Sequence, residues 1–345
     1  MEYVNFSSND YLGLANHPHI IDKMKSALDH YGYGSAASRL LGGGTKLHKE
    51  LEERVAKFKS VESSLVFNSG YAANTGIIPA ITDEDDVIYS DEFNHASIID
   101  GCRLSRARTL IYSHKDLSHL EDLISRGDSA RKIVVTDTVF SMDGDISPLS
   151  GIFDICKKNN AILYIDDAHG MGVLGNGRGA LPHFNIEPQP WIIQMGTFSK
   201  ALGSFGAFIA GSREVVELTL NAARSFIFST ALPSCIIAGS IAALELIDEG
   251  SELIKRLWAN RNNVADNIKH MGYDIMESET PIIPLKTGTI ENTLKISRLL
   301  YGEGIFAPAI RPPTVTVPRI RITVTAAHTE NDLERLFIAL RKVKL

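Results

Sequence analysis

Between residues 64 and 210, short runs rich in β-branched residues alternate with segments typical of helices. This alternation is the pattern of βαβ units, in which parallel strands are joined through crossover helices. A sheet of this kind is covered by helices on both faces, so the pattern predicts an α/β fold with a mostly parallel, seven-stranded sheet. The predicted strands are 64–68, 86–90, 109–113, 132–138, 161–166, 191–197 and 206–210.

The pattern changes after Pro233. The segments that follow are two long amphipathic stretches, two strands and a closing helix, at 235–249, 252–271, 282–286, 320–325 and from 330 onward. This order predicts a smaller α+β domain. Residues 1–45 are rich in loops and too short to fold alone, so we expect them to pack on another part of the chain. The predicted division is therefore an N-terminal segment at 1–45, a large domain at 46–233 and a small C-terminal domain at 234–345.

Composition excludes several classes of protein. With 35 Lys and Arg against 41 Asp and Glu, the net charge of −6 argues against a nucleic-acid or anionic-membrane partner that binds through bulk charge. No apolar stretch approaches the roughly 18 residues of a membrane span. The three cysteines, Cys102, Cys156 and Cys235, are too far apart for a metal pair or a disulfide framework. We therefore expect a folded protein of a reducing cytoplasm.

Polar side chains follow two neighbouring strands of the predicted sheet. Asp166 ends the strand at 161–166, and Lys200 comes just after the strand at 191–197. In open α/β sheets, ligands bind beyond the carboxyl ends of the strands. A desolvated lysine can form a Schiff base with a carbonyl, and a carboxylate can hold a protonated pyridine nitrogen. Taken singly, Asp166 could instead form a structural ion pair, and Lys200 could be a solvated surface residue.

Two further strand ends carry candidate residues. The segment 68–74 passes from a strand into a helix at Gly70, and the free N–H groups of such a helix start can bind a phosphate. His95 follows the next predicted strand and could stack on an aromatic ring or transfer a proton. A capped helix and a structural histidine are the alternatives.

The segment Gly170–Gly175 matches the dinucleotide-binding pattern G-x-G-x-x-G, but its context argues against that function. Further glycines and Pro182 follow, so no helix begins at the third glycine. The sequence also lacks a GxSxG nucleophile turn and an HExxH metal motif, and we predict no metal site. Pyridoxal 5'-phosphate is the one candidate cofactor that uses the strand-end lysine, the carboxylate, the histidine and the phosphate site together.

Many motifs in one order resemble the α-oxoamine synthases, a group of the fold-type I pyridoxal-phosphate-dependent transferases. They cover nearly the whole chain and read NFSSNDYLGLANHP, SRLLGGGTKLHKELE, FNSGYAAN, FNHASIIDG, VFSMDGDISPLSGI, DDAHGMGVLGNGRG, GTFSKALGSFG, FIFSTALP, IRPPTV and RIRITVTAAHT. The resemblance implies the fold predicted above, with a large cofactor-binding domain and a smaller C-terminal domain.

The resemblance also implies roles for individual residues around the cofactor ring. Lys200, in GTFSK, would bind the cofactor and remove the α-proton of the substrate. Asp166, in DDAH, would pair with the pyridine nitrogen, and His169 of the same motif would bond the phenolic oxygen. His95, in NHAS, would stack over the ring and polarise the second substrate.

Other residues would hold the rest of the cofactor and the substrates. The resemblance assigns cofactor contacts to Ser141, Thr197 and the backbone of Gly70 and Tyr71, and contacts to the phosphate of a neighbouring subunit to Ser229 and Thr230. Asn9 and Arg321 would bind the amino-acid carboxylate, a task suited to the forked guanidinium group. Thr314, in IRPPTV, would contact the acyl substrate. The active sites would lie at the interface of a homodimer.

Within the family, the motifs are most similar to those of members that condense L-alanine with a pimeloyl thioester in biotin biosynthesis, releasing CO2 and the free thiol. The thioester could be pimeloyl-CoA or a pimeloyl-carrier protein. Three alternatives stay open: a glycine C-acetyltransferase, which uses glycine and acetyl-CoA, another α-oxoamine synthase, and a catalytically silent partner subunit. The presence of Lys200 argues against the silent subunit.

Overall fold

The computed structural model describes residues 2–126 and 131–343 of the chain. Its strands are β1 (Val4–Asn5), β2 (Ser63–Phe67), β3 (Val87–Asp91), β4 (Arg108–Tyr112), β5 (Lys132–Asp137), β6 (Ile162–Asp166), β7 (Ile192–Thr197), β8 (Ala207–Gly211), β9 (Ile282–Lys286), β10 (Ile305–Phe306), β11 (Ala309–Ile310) and β12 (Arg319–Thr323). Its helices are α1 (Pro18–Tyr31), α2 (Lys46–Phe58), α3 (Gly70–Ala80), α4 (Ala96–Leu104), α5 (Leu117–Ser125), α6 (Leu149–Lys158), α7 (Ala180–His183), α8 (Arg213–Ala222), α9 (Arg224–Ile227), α10 (Ser234–Glu249), α11 (Ser251–His270), α12 (Ile290–Gly302) and α13 (Glu330–Arg341).

The chain divides into two units. We call residues 14–138 and 147–249 the sheet unit, and residues 1–13, 139–146 and 250–345 the terminal unit. These units differ from the predicted division at residues 45 and 233. The first 13 residues group with the C-terminal part because β1 pairs with β10. Helix α10 groups with the large sheet because it packs on α1 and α2.

The sheet unit contains one seven-stranded sheet in the order β2-β8-β7-β6-β5-β3-β4. Strands β3 to β7 run parallel, and only β8 runs against its neighbours β2 and β7. All seven strands begin and end within one residue of the predicted limits. The predicted mostly parallel α/β fold is therefore confirmed. Its parallel strands bring the ends of β5, β6 and β7 to one edge.

Helix α3 positions one side of this edge. Its apolar residues Ala73 and Ile77 join a buried cluster with Ile193 and Met195 of β7. Helix α4 can approach α3 closely because residue 101 is glycine: a Cβ there would lie 2.7 Å from the carbonyl oxygen of Asn74. This close packing brings the first turn of α4 against the middle of α3.

Helix α1 lies in a region for which the sequence predicted loops. It begins at Pro18, whose fixed φ suits a first helical turn, and it buries Ile20 and Ala27. Gly239 of α10 permits the contact between the two helices, since a Cβ at that position would lie 2.9 Å from Cγ of Met24. Packing on α10 stabilises α1, as tertiary contacts do for most helices of this length.

The terminal unit has its own sheet, β11-β12-β9, in which all strands are antiparallel. Helices α11, α12 and α13 pack with it around a cluster that includes Phe6, Ile322 and Leu336. The predicted strands at 282–286 and 320–325 and the predicted helices at 252–271 and from 330 onward form here, whereas the predicted helix at 235–249 belongs to the sheet unit. In the described part of the chain, no helix is long and apolar enough to cross a membrane.

Candidate active site

Asp166 is the last residue of β6 and is 4% exposed. Its Oδ2 accepts a hydrogen bond from Nδ2 of Asn74 at 2.8 Å, and its Oδ1 accepts one from the backbone N–H of Ala168 at 3.0 Å. The ion pairs among the described residues include none between Asp166 and a lysine or arginine. This buried carboxylate is thus held by two neutral donors, as a partner of a cationic ligand would be.

The next residue, Asp167, has different partners. Its Oδ2 accepts a hydrogen bond from Nζ of Lys59 at 2.9 Å, and both side chains are 1% exposed. Thr138 Oγ1 donates to its Oδ1 at 2.8 Å, and the N–H of Ala180 donates to both oxygens. A Cβ at Gly179 would overlap this carboxylate, so glycine is required there. This network fixes the turn that follows Asp166 and carries the buried His169.

Lys200 lies in the turn between β7 and β8, one strand along the sheet from Asp166. Thr197 closes this turn by donating from Oγ1 to the carbonyl oxygen of Gly206 at 2.8 Å. Gly203 has a φ of +60°, and a Cβ there would overlap the backbone of Leu14 and Ala15. The turn is therefore rigid, while the Lys200 side chain remains partly exposed.

His95 immediately precedes α4 and caps it. Its Nδ1 accepts a hydrogen bond from the backbone N–H of Ser97 at 3.2 Å and lies 2.7 Å from Oγ of Ser97. The surrounding protein partly removes the ring from water, and this desolvation lowers the pKa of His95. The Asp166 charge opposes this shift and the Lys200 charge adds to it. A neutral imidazole with one ring nitrogen engaged is suited to stacking and to hydrogen-bond donation.

Asp137 ends β5 beside Asp166 on β6. Its Oδ2 accepts a hydrogen bond from the backbone N–H of His95 at 2.7 Å. Burial and the Asp166 charge raise the pKa of Asp137 well above its usual range, although the His95 N–H and the Lys200 charge oppose the shift. Asp137 therefore positions the backbone of His95 at this edge of the sheet.

The other cofactor residues predicted in the sheet unit lie at the helix start and on one loop. Gly70 begins α3, where Oγ of Ser69 accepts from the N–H of Ala72. Tyr71 is exposed and donates its hydroxyl to Asp100 at 2.6 Å. Ser229 and Thr230 follow α9, and the carbonyl oxygen of Thr230 accepts from Nδ2 of Asn68 at 2.7 Å.

Arg321 is the centre of a second group, in the terminal unit. It lies on β12 and is 6% exposed. Its three guanidinium nitrogens donate to the carbonyl oxygen of Ser141 at 2.6 Å, to Oγ1 of Thr323 at 2.9 Å and to Oδ1 of Asn9 at 3.1 Å. Burial raises the pKa of nearby Tyr11 to about 12, although the Arg321 charge opposes this shift.

Neutral oxygens provide all these contacts to Arg321. The ion pairs of the described residues include none that involves Arg321, whereas Arg319 on the same strand pairs with Asp143 at 2.5 Å. A buried cation without a carboxylate partner is unfavourable unless a ligand supplies the anion. Arg321 is thus arranged as an anion site, and it gathers two other predicted residues, Asn9 and Ser141. Thr314 lies apart from them on an exposed loop after β11.

Several residues of these two groups were not predicted from the sequence. They are Asn74, Ser97, Asp137 and Tyr164 in the sheet unit and Tyr11 and Thr323 in the terminal unit. Asp137 lies one residue before the end of the predicted strand at 132–138, so the strand-end rule that selected Asp166 would have pointed to this position. The others have no sequence signal, because their contacts depend on packing between elements distant in the chain.

With this geometry described, the chain can be compared with known proteins. A family profile described as aminotransferase class I and II matches residues 1–340. The chain belongs to this family.

Within the aminotransferase class I and II family, the chain is 49% identical to the 8-amino-7-oxononanoate synthase of Geobacter sulfurreducens over 348 residues, which cover 99% of this chain and 89% of the relative. A solved structure of serine palmitoyltransferase (SPT) with pyridoxal phosphate superimposes on the chain with a TM-score of 0.95 at 29% identity. The match covers 98% of this chain and 86% of the other. The 8-amino-7-oxononanoate synthase of Francisella tularensis gives a TM-score of 0.86 at 27% identity, covering 99% and 97%. These matches confirm the predicted resemblance.

Proposed function

We propose that this chain is a pyridoxal-phosphate-dependent 8-amino-7-oxononanoate synthase. It condenses L-alanine with a pimeloyl thioester and releases CO2 and the free thiol, a reaction of biotin biosynthesis. The observation that carries the cofactor chemistry is the buried Asp166 carboxylate, which neutral donors hold one strand from Lys200. The names of its relatives support the choice of product.

The residues of the sheet unit fit pyridoxal phosphate. Asp166 has no internal cation among the described residues, so a protonated pyridine nitrogen would complete its charge. Lys200 would bind the aldehyde, Thr197 and His169 would hold the ring substituents, and His95 would stack on the ring. Gly70 and Tyr71, together with Ser229 and Thr230 of a neighbouring subunit, would add further cofactor contacts, and the family resemblance assigns one more to Ser141 of the terminal unit. When bound, the cofactor supplies an electron sink that stabilises negative charge at the α-carbon of the amino acid.

Different residues of the chain then bind the substrates, transfer the proton and stabilise the developing charge. Arg321 binds the alanine carboxylate with help from Asn9, since a forked guanidinium matches a carboxylate. Nζ of Lys200 takes the proton from the α-carbon and later returns one. His95 donates a hydrogen bond to the thioester carbonyl and stabilises the oxygen as it gains charge. Thr314 contacts the acyl chain.

The test is an assay of purified protein with pyridoxal phosphate, either L-alanine or glycine, and either pimeloyl-CoA or acetyl-CoA. Thiol release and the mass of the product are measured. We expect 8-amino-7-oxononanoate from alanine and pimeloyl-CoA, and none from the Lys200→Ala variant, whose fold should be unchanged by circular dichroism. Product from glycine and acetyl-CoA alone would instead identify a glycine C-acetyltransferase. Full activity of Lys200→Ala would refute the assignment of the lysine.

The proposal includes a homodimer with active sites at the subunit interface. Large apolar side chains of the sheet unit are highly exposed, with Tyr33 and Leu41 at 83% and Phe228 at 70%. Such surfaces commonly mark protein interfaces. Light scattering should give about twice the mass of the 37.8 kDa chain. The Leu41→Glu variant should shift the mass toward one chain, and a monomeric wild-type protein would contradict this part of the proposal.

A further inference from the structure

Asn74 lies in the middle of α3, is fully buried and contacts three polar side chains. Its Nδ2 donates to Oδ2 of Asp166 at 2.8 Å and to Oγ of Ser97 at 2.8 Å. Its Oδ1 accepts from the hydroxyl of Tyr164 at 2.6 Å. Asp166 and Tyr164 both lie on β6 and Ser97 lies on α4, so Asn74 joins α3 to these two elements by hydrogen bonds within the sheet unit.

The carboxylate of Asp166 determines which way the Asn74 amide points. A carboxylate only accepts hydrogen bonds, so the NH2 group must face it. Burial and the Asp166 charge raise the pKa of Tyr164 well above its usual range, so the tyrosine hydroxyl keeps its proton and donates to Oδ1. Both contacts select the same amide orientation. The two hydrogens of Nδ2 are then used, one on Asp166 and one on Ser97.

The direction of the hydrogen bonds continues through Ser97 to His95. Because Oγ of Ser97 accepts from Asn74, its own hydrogen is free to point at Nδ1 of His95, 2.7 Å away. The backbone N–H of Ser97 also donates to Nδ1. A hydrogen on Nδ1 would oppose both donors. Neutral His95 must therefore carry its proton on Nε2.

We propose that Asn74 and Ser97 are positioning residues that transmit the orientation set by Asp166 to His95 and hold its imidazole as the Nε2–H tautomer. The consequence for catalysis rests on the proposed function. The carboxylate that pairs with the cofactor ring also fixes the donor that faces the thioester carbonyl. Loss of either positioning residue leaves His95 in place but allows its proton to move to Nδ1.

The charged groups that face His95 are Asp166, Asp137 and Lys200. Substitution of Ser97 removes no hydrogen bond of these three groups, whereas substitution of Asn74 removes one hydrogen bond to Asp166. Without Asn74, Oγ of Ser97 can accept a hydrogen bond from a proton on Nδ1, which stabilises the imidazolium. The pKa of His95 should then rise by about half a unit, corresponding to roughly a threefold change in its protonation constant.

The experiment measures the histidine tautomer in the cofactor-free protein by NMR with ¹⁵N-labelled histidine, and His95→Gln identifies the signal. Wild-type His95 should show an unprotonated Nδ1 that accepts hydrogen bonds. Asn74→Ala should show a population with the proton on Nδ1 and the raised pKa. Ser97→Ala should also raise the pKa, because it removes the hydroxyl that donates to Nδ1 of the neutral ring. Ser97→Thr, which keeps the hydroxyl, should resemble the wild type. Asn260→Ala removes an amide that donates to two backbone carbonyls in the terminal unit, and it should leave the His95 signal unchanged.

A wild-type proton on Nδ1 overturns the proposal without any variant. So does a wild-type titration and tautomer in both Asn74→Ala and Ser97→Ala; if one of them fails to fold, the other decides. As a second measurement, kcat with alanine and pimeloyl-CoA should fall about tenfold in Asn74→Ala while KM for alanine changes less than twofold. The expected NMR result from a protein that does not make 8-amino-7-oxononanoate would refute the proposed function and leave the positioning role intact.

Discussion

Asp166 and Asp167 are adjacent in sequence, and both are buried, but their partners differ in kind. Asp167 is paired with Lys59 and receives further hydrogen bonds from Thr138 and Ala180. Among the described residues, the hydrogen bonds to Asp166 come from the neutral donors Asn74 and Ala168. A buried carboxylate that already pairs with a cation of the protein needs no further charge partner. One that is held by neutral donors is stabilised further when a cationic ligand binds. This difference in partners predicts that Asp167 has a structural role and that Asp166 binds a ligand.

The largest expected effects come from substituting the two aspartates separately. Asp166→Asn should lower kcat about 10²- to 10³-fold, the scale of one preorganised electrostatic group, with little loss of stability. Asp167→Asn leaves Lys59 buried without its charge partner, which should lower the free energy of unfolding by about 3–5 kcal/mol. Urea unfolding and steady-state kinetics at a temperature where both variants are folded measure the two effects.

Lys59→Met combined with Asp167→Asn is the control for this pair. It removes the uncompensated charge, so the double variant should be more stable than the sum of the single losses indicates, by at least about 1 kcal/mol. If Asp166→Asn were the more destabilised single variant, or if Asp167→Asn lost more activity than Asp166→Asn, the division between structural and functional aspartate would be wrong.

Two arginines of β12 show the same difference between a charge that is paired within the protein and one that contacts neutral groups. Arg319 pairs with Asp143, and Arg321 contacts neutral oxygens. We expect Arg321→Ala to raise KM for L-alanine about 100-fold, since charge-assisted hydrogen bonds contribute about 1.5–3 kcal/mol each. Arg319→Ala should instead mainly lower stability. Arg321→Lys, which keeps the charge without the fork, should be intermediate. An unchanged KM for alanine in Arg321→Ala would remove this residue from the substrate site.

The sequence predicted the sheet and the polar residues at its strand ends better than the network behind them. The strands β2 to β8 carry continuous apolar runs, and their ends show Asp166 and Lys200 directly. Helix α1 was missed because its apolar stripe is short and its stability depends on α10. Asn74 and Ser97 were missed for a related reason: a buried amide and a hydroxyl have no periodic signal. Their contacts arise only when α3 and α4 pack through Gly101.

Two histidines give the smallest and most specific test of the comparison. The hydrogen bonds of the described residues engage both nitrogens of His48, which accepts from the N–H of Thr45 at 3.1 Å and contacts the carbonyl oxygen of Leu232 at 3.0 Å. For His95 they engage Nδ1 alone. Both ring nitrogens of His48 thus have partners within the described part of the protein, as the carboxylate of Asp167 does. Nε2 of His95 has none there and can bind a ligand.

Burial lowers the pKa of His48 to about 4, with the Arg39 charge adding to the shift. Because this pKa lies below the ordinary value of about 6.5, the folded state binds the proton more weakly than the unfolded state does. The stability that neutral His48 contributes is therefore fully present above pH 6.5 and is lost as the pH falls toward 4. At pH 5 the loss relative to pH 8 should be about 2 kcal/mol. Urea unfolding of the wild type and of His48→Gln isolates this contribution, since the glutamine does not titrate. The slope between pH 6.5 and 4 should be shallower in His48→Gln. An equal slope in both proteins would show that other groups cause the acid sensitivity. His48 would then not be a structural residue in the way that Asp167 is.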